Sequence, residues 1–587
     1  MDENNKILLR KRNIILATTG LLVLNALLSI TLTNVTPDQT GIQTTSWAKI
    51  FIYARSFSAL AYVIYLLSLF EKTAETGKRM IMVVVAHIDI IFLCMLFGYL
   101  ALYQIYSAYF ASYYISPDSS GYIREASNLL EGNGFYSNRL AGYDSWFASW
   151  PIGYPVLIAL FTFISGHSVY FSSKLLSIAL VGVGLFVLRL RFKQDAWIFS
   201  LIYLNIGFLN IYKFTWSENP FILSLIIWGI SLAAIVELEI PKKRWYIILL
   251  FGNLSAFLTR YFGIVTILFT GFVLLLYVLY YLSSNRCASV LTKIKGLLCV
   301  ETISSVVVCL YLFMNRTMSG TISGVNRLFW QDDYNKLVEI LYNALITEIF
   351  NATRVDIVSL MPDFFPQGKA AVVILFLVFL SFVLIKKYQK EKKLDYKIIF
   401  IGAGIFYYFL FIVVRFYSTM DVFGPRFFAP AGMMVSIGVL GLIKDKFGEA
   451  LKKFQIIMCL FLFILCGGLV QNIKHCTIET SAYHVFYDKI MSSLEQIPSK
   501  GMVLNYTGED YYPVEAFRPD IMINGRIAYD DTIETIRSKY DKSDSIWIQR
   551  DVLNTIINDK NYSAEIRNTF TQYAAEEPNG TEYIRIY

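Results

Sequence analysis

Long apolar runs separated by short polar turns fill most of this chain, and then the pattern changes. A run of about 18 or more apolar residues crosses a bilayer as a helix. By that measure the sequence predicts spans near 13–33, 50–70, 80–106, 173–190, 196–213, 220–238, 245–259, 262–282, 296–314, 370–385, 398–414, 429–443 and 454–472. The stretch Tyr154–Ile164 is apolar but short, and reads as an interfacial or partly inserted segment. From about residue 473 apolar and polar positions begin to alternate, as in Gly501–Tyr506, Asp520–Asn524, Ser545–Gln549 and Glu582–Tyr587. Alternation with period two is the mark of strands. The expected fold is therefore an α-helical polytopic membrane protein of about thirteen transmembrane helices, with a small C-terminal α/β extracytoplasmic domain at 473–587.

Composition agrees: 56% of the residues are hydrophobic and 16% charged, with a mean hydropathy of +0.51. The placement of charge matters more than its sum, +8. Cytoplasmic loops carry the excess of Lys and Arg. Basic clusters stand at Lys6–Arg12, Lys72–Arg79, Lys242–Arg244, Arg286–Lys295, Lys386–Lys397 and Lys444–Lys453, at every second turn. A crossing at Tyr154–Ile164 would invert every later assignment, so that segment is taken not to cross. The outer side then receives loops 107–152 and 315–369, the turns Trp216–Glu218 and Thr259–Tyr261, the segment 416–428 and the tail. The first run, Asn13–Thr33, is too long for a signal peptide and lacks a small-residue cleavage site, so it reads as an anchored span. No basic stripe is interleaved with aromatics, which argues against nucleic acid as a partner. The seven cysteines are scattered without a CxxC pair and the four histidines are isolated, which argues against a Cys- or His-based metal site.

Candidate chemistry gathers on the outer turns. Asp118, in Pro117–Tyr122, begins an amphipathic stretch with Tyr122, Ala126, Leu129 and Leu130 on one side, which suits a helix lying on the membrane surface. Its carboxylate either accepts protons near the lipid boundary or caps that helix. Trp150–Pro155 sets a sharp return toward the bilayer. Glu218 precedes Asn219-Pro220 at the head of a span, where a helix dipole also favours an acid. Arg260 stands between two apolar runs, a costly place for an unpaired cation. Arg426 occupies a similar place, with Arg415 and Asp421 near enough in sequence to form a structural ion pair. Two carboxylates and two arginines, from four turns on one face, could converge on one site. The carboxylates suit proton transfer or cation binding, and the arginines suit a phosphate.

These motifs resemble the GT-C superfamily of membrane glycosyltransferases. The nearest likeness is to the PMT-like group, which includes protein O-mannosyltransferases and lipid A aminoarabinose transferases. The resemblance rests on DSSGYIREASNLLEGNGF with Asp118, WPIGYP, WSENPF with Glu218, LTRYFG with Arg260 and PRFFAP with Arg426. It covers roughly 80–445, and the tail sequence GMVLNYTGEDYYPVEAFRPDIMINGRI resembles the outer domain of many bacterial relatives. The chain then divides into a two-span extension at 1–79, a catalytic core at 80–472 and the tail domain. Two positions depart from the family pattern. Asp118 is followed by Ser119 where several members carry an acidic pair, and Ile152 follows Trp150-Pro151 where some carry Lys or a second Pro.

The resemblance implies an inverting transferase that takes a sugar from a polyprenyl-phosphate donor on the outer face and passes it to a glycan, lipid or protein acceptor. It implies catalytic roles for Asp118 and Glu218, donor-phosphate binding by Arg260 and Arg426, and substrate contacts from Tyr122, Trp150, Tyr154 and Tyr261. A divalent cation (Mg, Mn or Zn) would have Asp118 and Glu218 as hard ligands. Together with an Ile-, Lys-, Asn- and Tyr-rich composition, it points to a bacterial cytoplasmic membrane with the site and tail outside. The alternatives are a transporter or flippase of a lipid-linked glycan, and a glycan polymerase or ligase. A transporter calls for mid-span ionisable residues and paired broken helices. Asp89 and Glu301 are the main mid-span charges, and no inverted repeat is evident.

Overall fold

A computed structural model describes residues 87–111, 115–137, 145–283, 288–324, 334–353, 394–418, 424–475, 482–508, 511–577 and 582–587, with isolated positions between 375 and 386. The expected spans at 13–33 and 50–70, and nearly all of that at 370–385, lie outside the described residues. Helices α1 (Ile88–Ile105), α2 (Pro117–Leu130), α3 (Gly153–Ser165) and α4 (Val169–Phe192) lead into two short helices, α5 (Ala196–Ser200) and α6 (Ile206–Tyr212). They are followed by α7 (Glu218–Glu237), α8 (Lys243–Thr259), α9 (Ile264–Ser283), α10 (Ala288–Ser319), α11 (Tyr334–Thr353), α12 (Tyr396–Phe416) and α13 (Pro425–His475). Seven helical stretches among the described residues are long and apolar enough to cross a membrane. At 13 residues, α3 is shorter than a crossing requires, as its sequence indicates.

One span differs from its expected form. The stretch 196–213 is not one helix. Asn205 adopts φ −58° and ψ 132°, and its side-chain oxygen accepts from the amides of Gly207 at 2.7 Å and Phe208 at 3.3 Å. An N-cap inside an apolar run ends one helical segment and starts the next. The expected spans 429–443 and 454–472 are two helical segments of α13 that meet at a kink at Phe447 (φ −122°, ψ 17°), within the basic string between them.

The core forms where α7 packs on α8, α12 packs on α13, and α13 packs on α1. Trp197, Phe221, Trp228, Phe400, Tyr407 and Phe428 are each at most 2% exposed within it. Among the described residues, the most thoroughly enclosed apolar helix is α7, with 89% of its apolar stretch buried, so its N-terminal end is held by protein on all sides. Of the two mid-span acids, Asp89 is closed by Arg189 at 2.8 Å and Glu301 lies 3.5 Å from the Asn253 amide.

Helix α14 (Ala482–Ser493) leads to a four-stranded sheet of β3 (Gly501–Leu504), β4 (Met522–Gly525), β5 (Ser545–Gln549) and β6 (Tyr583–Arg585). A short antiparallel pair, β1 (Tyr136–Ser137) and β2 (Ser145–Trp146), precedes it in the chain. The sheet order is β4-β3-β5-β6, with β3 parallel to both β4 and β5, and β6 antiparallel to β5. Each of the four alternating stretches in the tail thus supplies one strand. Helix α15 (Tyr511–Phe517) joins β3 to β4 and α16 (Ile533–Lys539) joins β4 to β5, while α17 (Arg550–Asn558) and α18 (Ala564–Glu576) lead to β6. Met502, Leu504, Ile546 and Ile548 pack on the face covered by α16, α17 and α18, and Val503 packs with Val514 and Ile490 on the other. Successive strand residues point to opposite faces, and both faces of this small sheet are covered, so β3 is buried along its whole length.

This sheet unit rests on α2. Arg124, buried in α2, donates to the Ile521 carbonyl at 3.0 Å and lies 3.5 Å from Glu515 of α15. Ser120 donates to the other Glu515 oxygen at 3.0 Å. Ile123, Tyr170, Ala516 and Phe517 form an apolar seam beside them. The amphipathic α2 therefore does not lie with a free polar face on a membrane surface. Its polar side is covered by α15, and Ser119, Ser120, Arg124 and Glu125 are all buried.

Candidate active site

Four charged side chains from four distant turns meet at the N-terminal end of α7. Ser116 caps α2, its hydroxyl accepting from the Ser119 amide at 3.2 Å, with Pro117 at the first helical position. Because the cap is Ser116, Asp118 in the first turn is not engaged in capping. Its carboxylate accepts instead from Arg426. Glu218 opens α7 with its side chain 1% exposed, and one of its oxygens accepts from both Arg260 and Arg426. The second Glu218 oxygen is 3.5 Å from Arg426 Nη2.

The arginines are placed by backbone breaks. Arg260 terminates α8 in extended conformation (φ −148°, ψ 135°), before the tight turn Tyr261–Gly263. Gly263 is required there, since a Cβ would sit 2.5 Å from the Phe257 amide nitrogen. Arg426 lies in the first turn of α13, directly after Pro425, where the helix dipole disfavours a cation. Two carboxylates reverse that disadvantage. The face of Trp216 covers the Arg426 guanidinium at 4.1 Å, and Phe214 stacks on Trp216 at 4.2 Å. Both guanidinium groups also lie 5.4 Å from the ring of Phe427. Aromatic faces of this kind hold a cation where water is scarce.

A hydroxyl network fixes the surroundings. Trp216 donates to Ser116 Oγ at 2.7 Å, Tyr122 donates to Ser217 Oγ at 2.9 Å, and Arg260 Nη1 reaches Ser217 Oγ at 3.4 Å. Tyr122 and Tyr154 are fully buried, with ring centroids 5.1 Å apart, and Trp150 lies 5.5 Å from Tyr122. Burial, together with the Asp118 charge, pushes the Tyr122 hydroxyl far above its usual range. It is therefore a neutral donor to Ser217. The Tyr261 hydroxyl donates to the Ala148 carbonyl at 2.7 Å and accepts from Asn315 at 2.8 Å, tying the loop before α3 to α10.

Asp118, Glu218, Arg260 and Arg426 thus share one constellation. Of the four aromatic candidates, Tyr122 and Tyr154 form its enclosed floor, Trp150 packs beside Tyr122, and Tyr261 stands to one side. Arg415 is buried and donates to the Ser418 carbonyl at 3.1 Å, while Asp421 lies outside the described residues. Among the described residues, Arg426 pairs with Asp118 and Glu218. Sequence reasoning passed over Ser116, Trp216 and Ser217, which set the geometry. The cap signature SPDS and the adjacency of Trp216-Ser217 to Glu218 were the available signals.

The arrangement is balanced in charge, two carboxylates against two guanidinium groups. A dication between Asp118 and Glu218 would stand in the place of Arg426 and face Arg260, so these residues do not fit a metal ion as arranged. No group of three or more His, Cys, Asp or Glu among the described residues is placed to hold one. What the cluster does fit is an anion that takes over the arginines and, in doing so, releases carboxylates.

No family model and no curated protein matches the chain. Among solved structures it is similar to ArnT from Cupriavidus metallidurans bound to undecaprenyl phosphate, with 10% identity and a TM-score of 0.46 over 81% of this chain and 94% of that one. The apo form of that protein gives 11% identity and 0.43 over 82% and 95%. The archaeal oligosaccharyltransferase AglB from Archaeoglobus fulgidus, in complex with an inhibitory peptide and a dolichol-phosphate, gives 11% and 0.39 over 78% and 69%.

Proposed function

We propose that the protein is an inverting glycosyltransferase that moves a sugar from a polyprenyl-phosphate donor to a hydroxyl or amine acceptor on the outer face of a bacterial cytoplasmic membrane. The observation that carries this reading is the Asp118–Arg426–Glu218–Arg260 constellation, in which both arginines are held by carboxylates and backed by aromatic faces. It stands where apolar helices meet polar loops, as a greasy donor with an ionic head requires.

The donor phosphate takes Arg260 and part of Arg426, pre-aligned by Glu218. This loosens Asp118 from Arg426. The acceptor oxygen or nitrogen attacks the anomeric carbon from the face opposite the phosphate. The carbon–oxygen bond to phosphate breaks, its electron pair leaves with the lipid phosphate, and the acceptor proton passes to Asp118. Guanidinium donors aimed at the departing oxygens stabilise the charge that develops there. Water is limited by the Trp216 and Phe427 faces, which strengthens those interactions.

The test supplies labelled polyprenyl-phosphate sugars and envelope extract to membranes carrying the protein or its Asp118→Asn form. Donor consumption by the unaltered protein alone is expected. Equal consumption by both removes Asp118 from the chemistry. No consumption across a broad donor panel by folded protein refutes the transferase and favours transport of a lipid-linked glycan.

A further inference from the structure

The tail sheet carries a second site. Its three parallel strands run β4-β3-β5 in space, so the chain steps outward from β3 to one side through α15 and then crosses to the other through α16. The direction of winding reverses between β3 and β5. In open α/β sheets, the carboxyl ends of the strands at such a reversal frame a crevice that takes ligands. Here that crevice measures about 730 Å³, within the range of small-molecule sites. It lies between the loop after β4 and helix α17, at the strand ends opposite those where Arg124 of α2 touches Ile521.

Its rim is built rather than loose. Asn505, which follows β3 with φ 48°, accepts from the Ile527 amide at 3.2 Å. Asp531 accepts from the Ala528 amide at 2.7 Å, and the Ser563 amide donates to the Tyr529 carbonyl at 2.9 Å. These bonds knit the loop after β4 to the loop after α17. They hold Tyr529, 57% exposed, edge-to-face with Tyr562 at a centroid distance of 4.7 Å. An aromatic ring kept open to solvent by a hydrogen-bonded loop is a platform for a flat apolar face.

Charge narrows the ligand. The crevice is lined by Asp530, Asp551 and Asp559 against one cation, Arg526. Such a lining repels phosphates, carboxylates and nucleic acid. Paired carboxylates, an amide and an arginine beside an aromatic face hydrogen-bond to hydroxyl groups as both donors and acceptors. We infer that this crevice binds a saccharide free of acidic groups, stacked on Tyr529 and hydrogen-bonded through Asp551 and Asn505. The inference stands independently of the transferase reading, since it concerns a surface at the other end of the sheet.

The experiment exposes the full-length protein in lipid nanodiscs to an immobilised panel of neutral, amino-bearing and uronic-acid oligosaccharides. Retention on glycans without acidic groups is expected, with at least tenfold weaker binding for Tyr529→Ala and for Asp551→Asn. Both positions are exposed, so their thermal unfolding should match that of the unaltered protein. Asp118→Asn should bind glycan as the unaltered protein does. Loss of retention in Asp118→Asn alone would place the glycan at the membrane-side cluster and overturn the crevice assignment. So would retention of acidic glycans only, equal binding by the two crevice variants, or no retention at all.

Discussion

Replacing Glu218 with Gln separates what holds the cluster together from what does chemistry. The Glu218 side chain is 1% exposed and bonds to both arginines, whereas Asp118 is 20% exposed and bonds to one. Glutamine keeps the shape but removes the charge, leaving two guanidinium groups against one carboxylate. Breaking a buried pair so that a charge is stranded costs about 3–5 kcal/mol. Asp118→Asn leaves Arg426 paired to Glu218 and loses a partly solvated contact, which is worth only about 0–1 kcal/mol. Turnover should rank the variants differently, because removing a general base costs roughly 10²–10⁴-fold. The expected pattern is a marked drop in thermal unfolding temperature for Glu218→Gln, and near-normal stability with lost donor turnover for Asp118→Asn. The Glu218→Gln/Arg260→Gln double variant restores the charge balance, so it should be less destabilised than the two single changes summed. Detergent-solubilised protein, melted with an intrinsic fluorescence readout and assayed for donor consumption, gives both quantities. Equal stability of the two single variants, or strict additivity in the double, would refute the account of Glu218 as the buried anchor.

Arg426→Lys should raise the donor KM by about tenfold or more, because a lysine cannot bridge two carboxylates while stacking on Trp216; titration with polyprenyl phosphate checks it. Chelation with EDTA should leave donor turnover unchanged, and recovery on adding Mg, Mn or Zn after a loss would contradict the charge-balance argument. Burial pushes the Glu125 carboxyl up to about 8, with Asn128 opposing, so the folded state holds this proton more tightly than the unfolded state. Stability should therefore fall as pH rises from the ordinary Glu value toward about 8, and Glu125→Gln should flatten that slope in melting curves. In the tail, burial alone would raise Asp520, but the paired bonds from Arg518, both 2.9 Å, hold it below the usual range. That contribution is present above the ordinary Asp value and is lost as pH falls through the depressed one, so Arg518→Ala should remove it from acid unfolding of the protein.

Glu218, Arg260 and Arg426 were legible because each borders an apolar run, where an ion is costly, and Asp118 because it opens an amphipathic stretch. Their pairing was not. Arg426 reaches Asp118 across 308 positions of sequence, and no local rule selects so distant a partner. Asp118 also illustrates how a cap is misread: Asp, Ser and Pro in one turn all suit the helix start, and only the backbone shows that Ser116 takes the role. The strands of the tail were visible because period-two alternation is set by the pleat. The break at Asn205 was not, because hydropathy reports burial and not backbone direction. Likewise, the amphipathic face of α2 indicated that something covers it, without revealing that the cover is a domain some 400 residues later in the chain.

The seam between α2 and α15 decides what can be exchanged. A chimaera built by joining the membrane part of one such protein to the tail of another would strand Arg124 and Ser120 without Glu515, on the very helix that presents Asp118. Recombination at residue 473, where the composition changes, would therefore cut through a working joint. The transplantable cassette is the tail together with α2 and the start of α4, where Tyr170 meets Phe517.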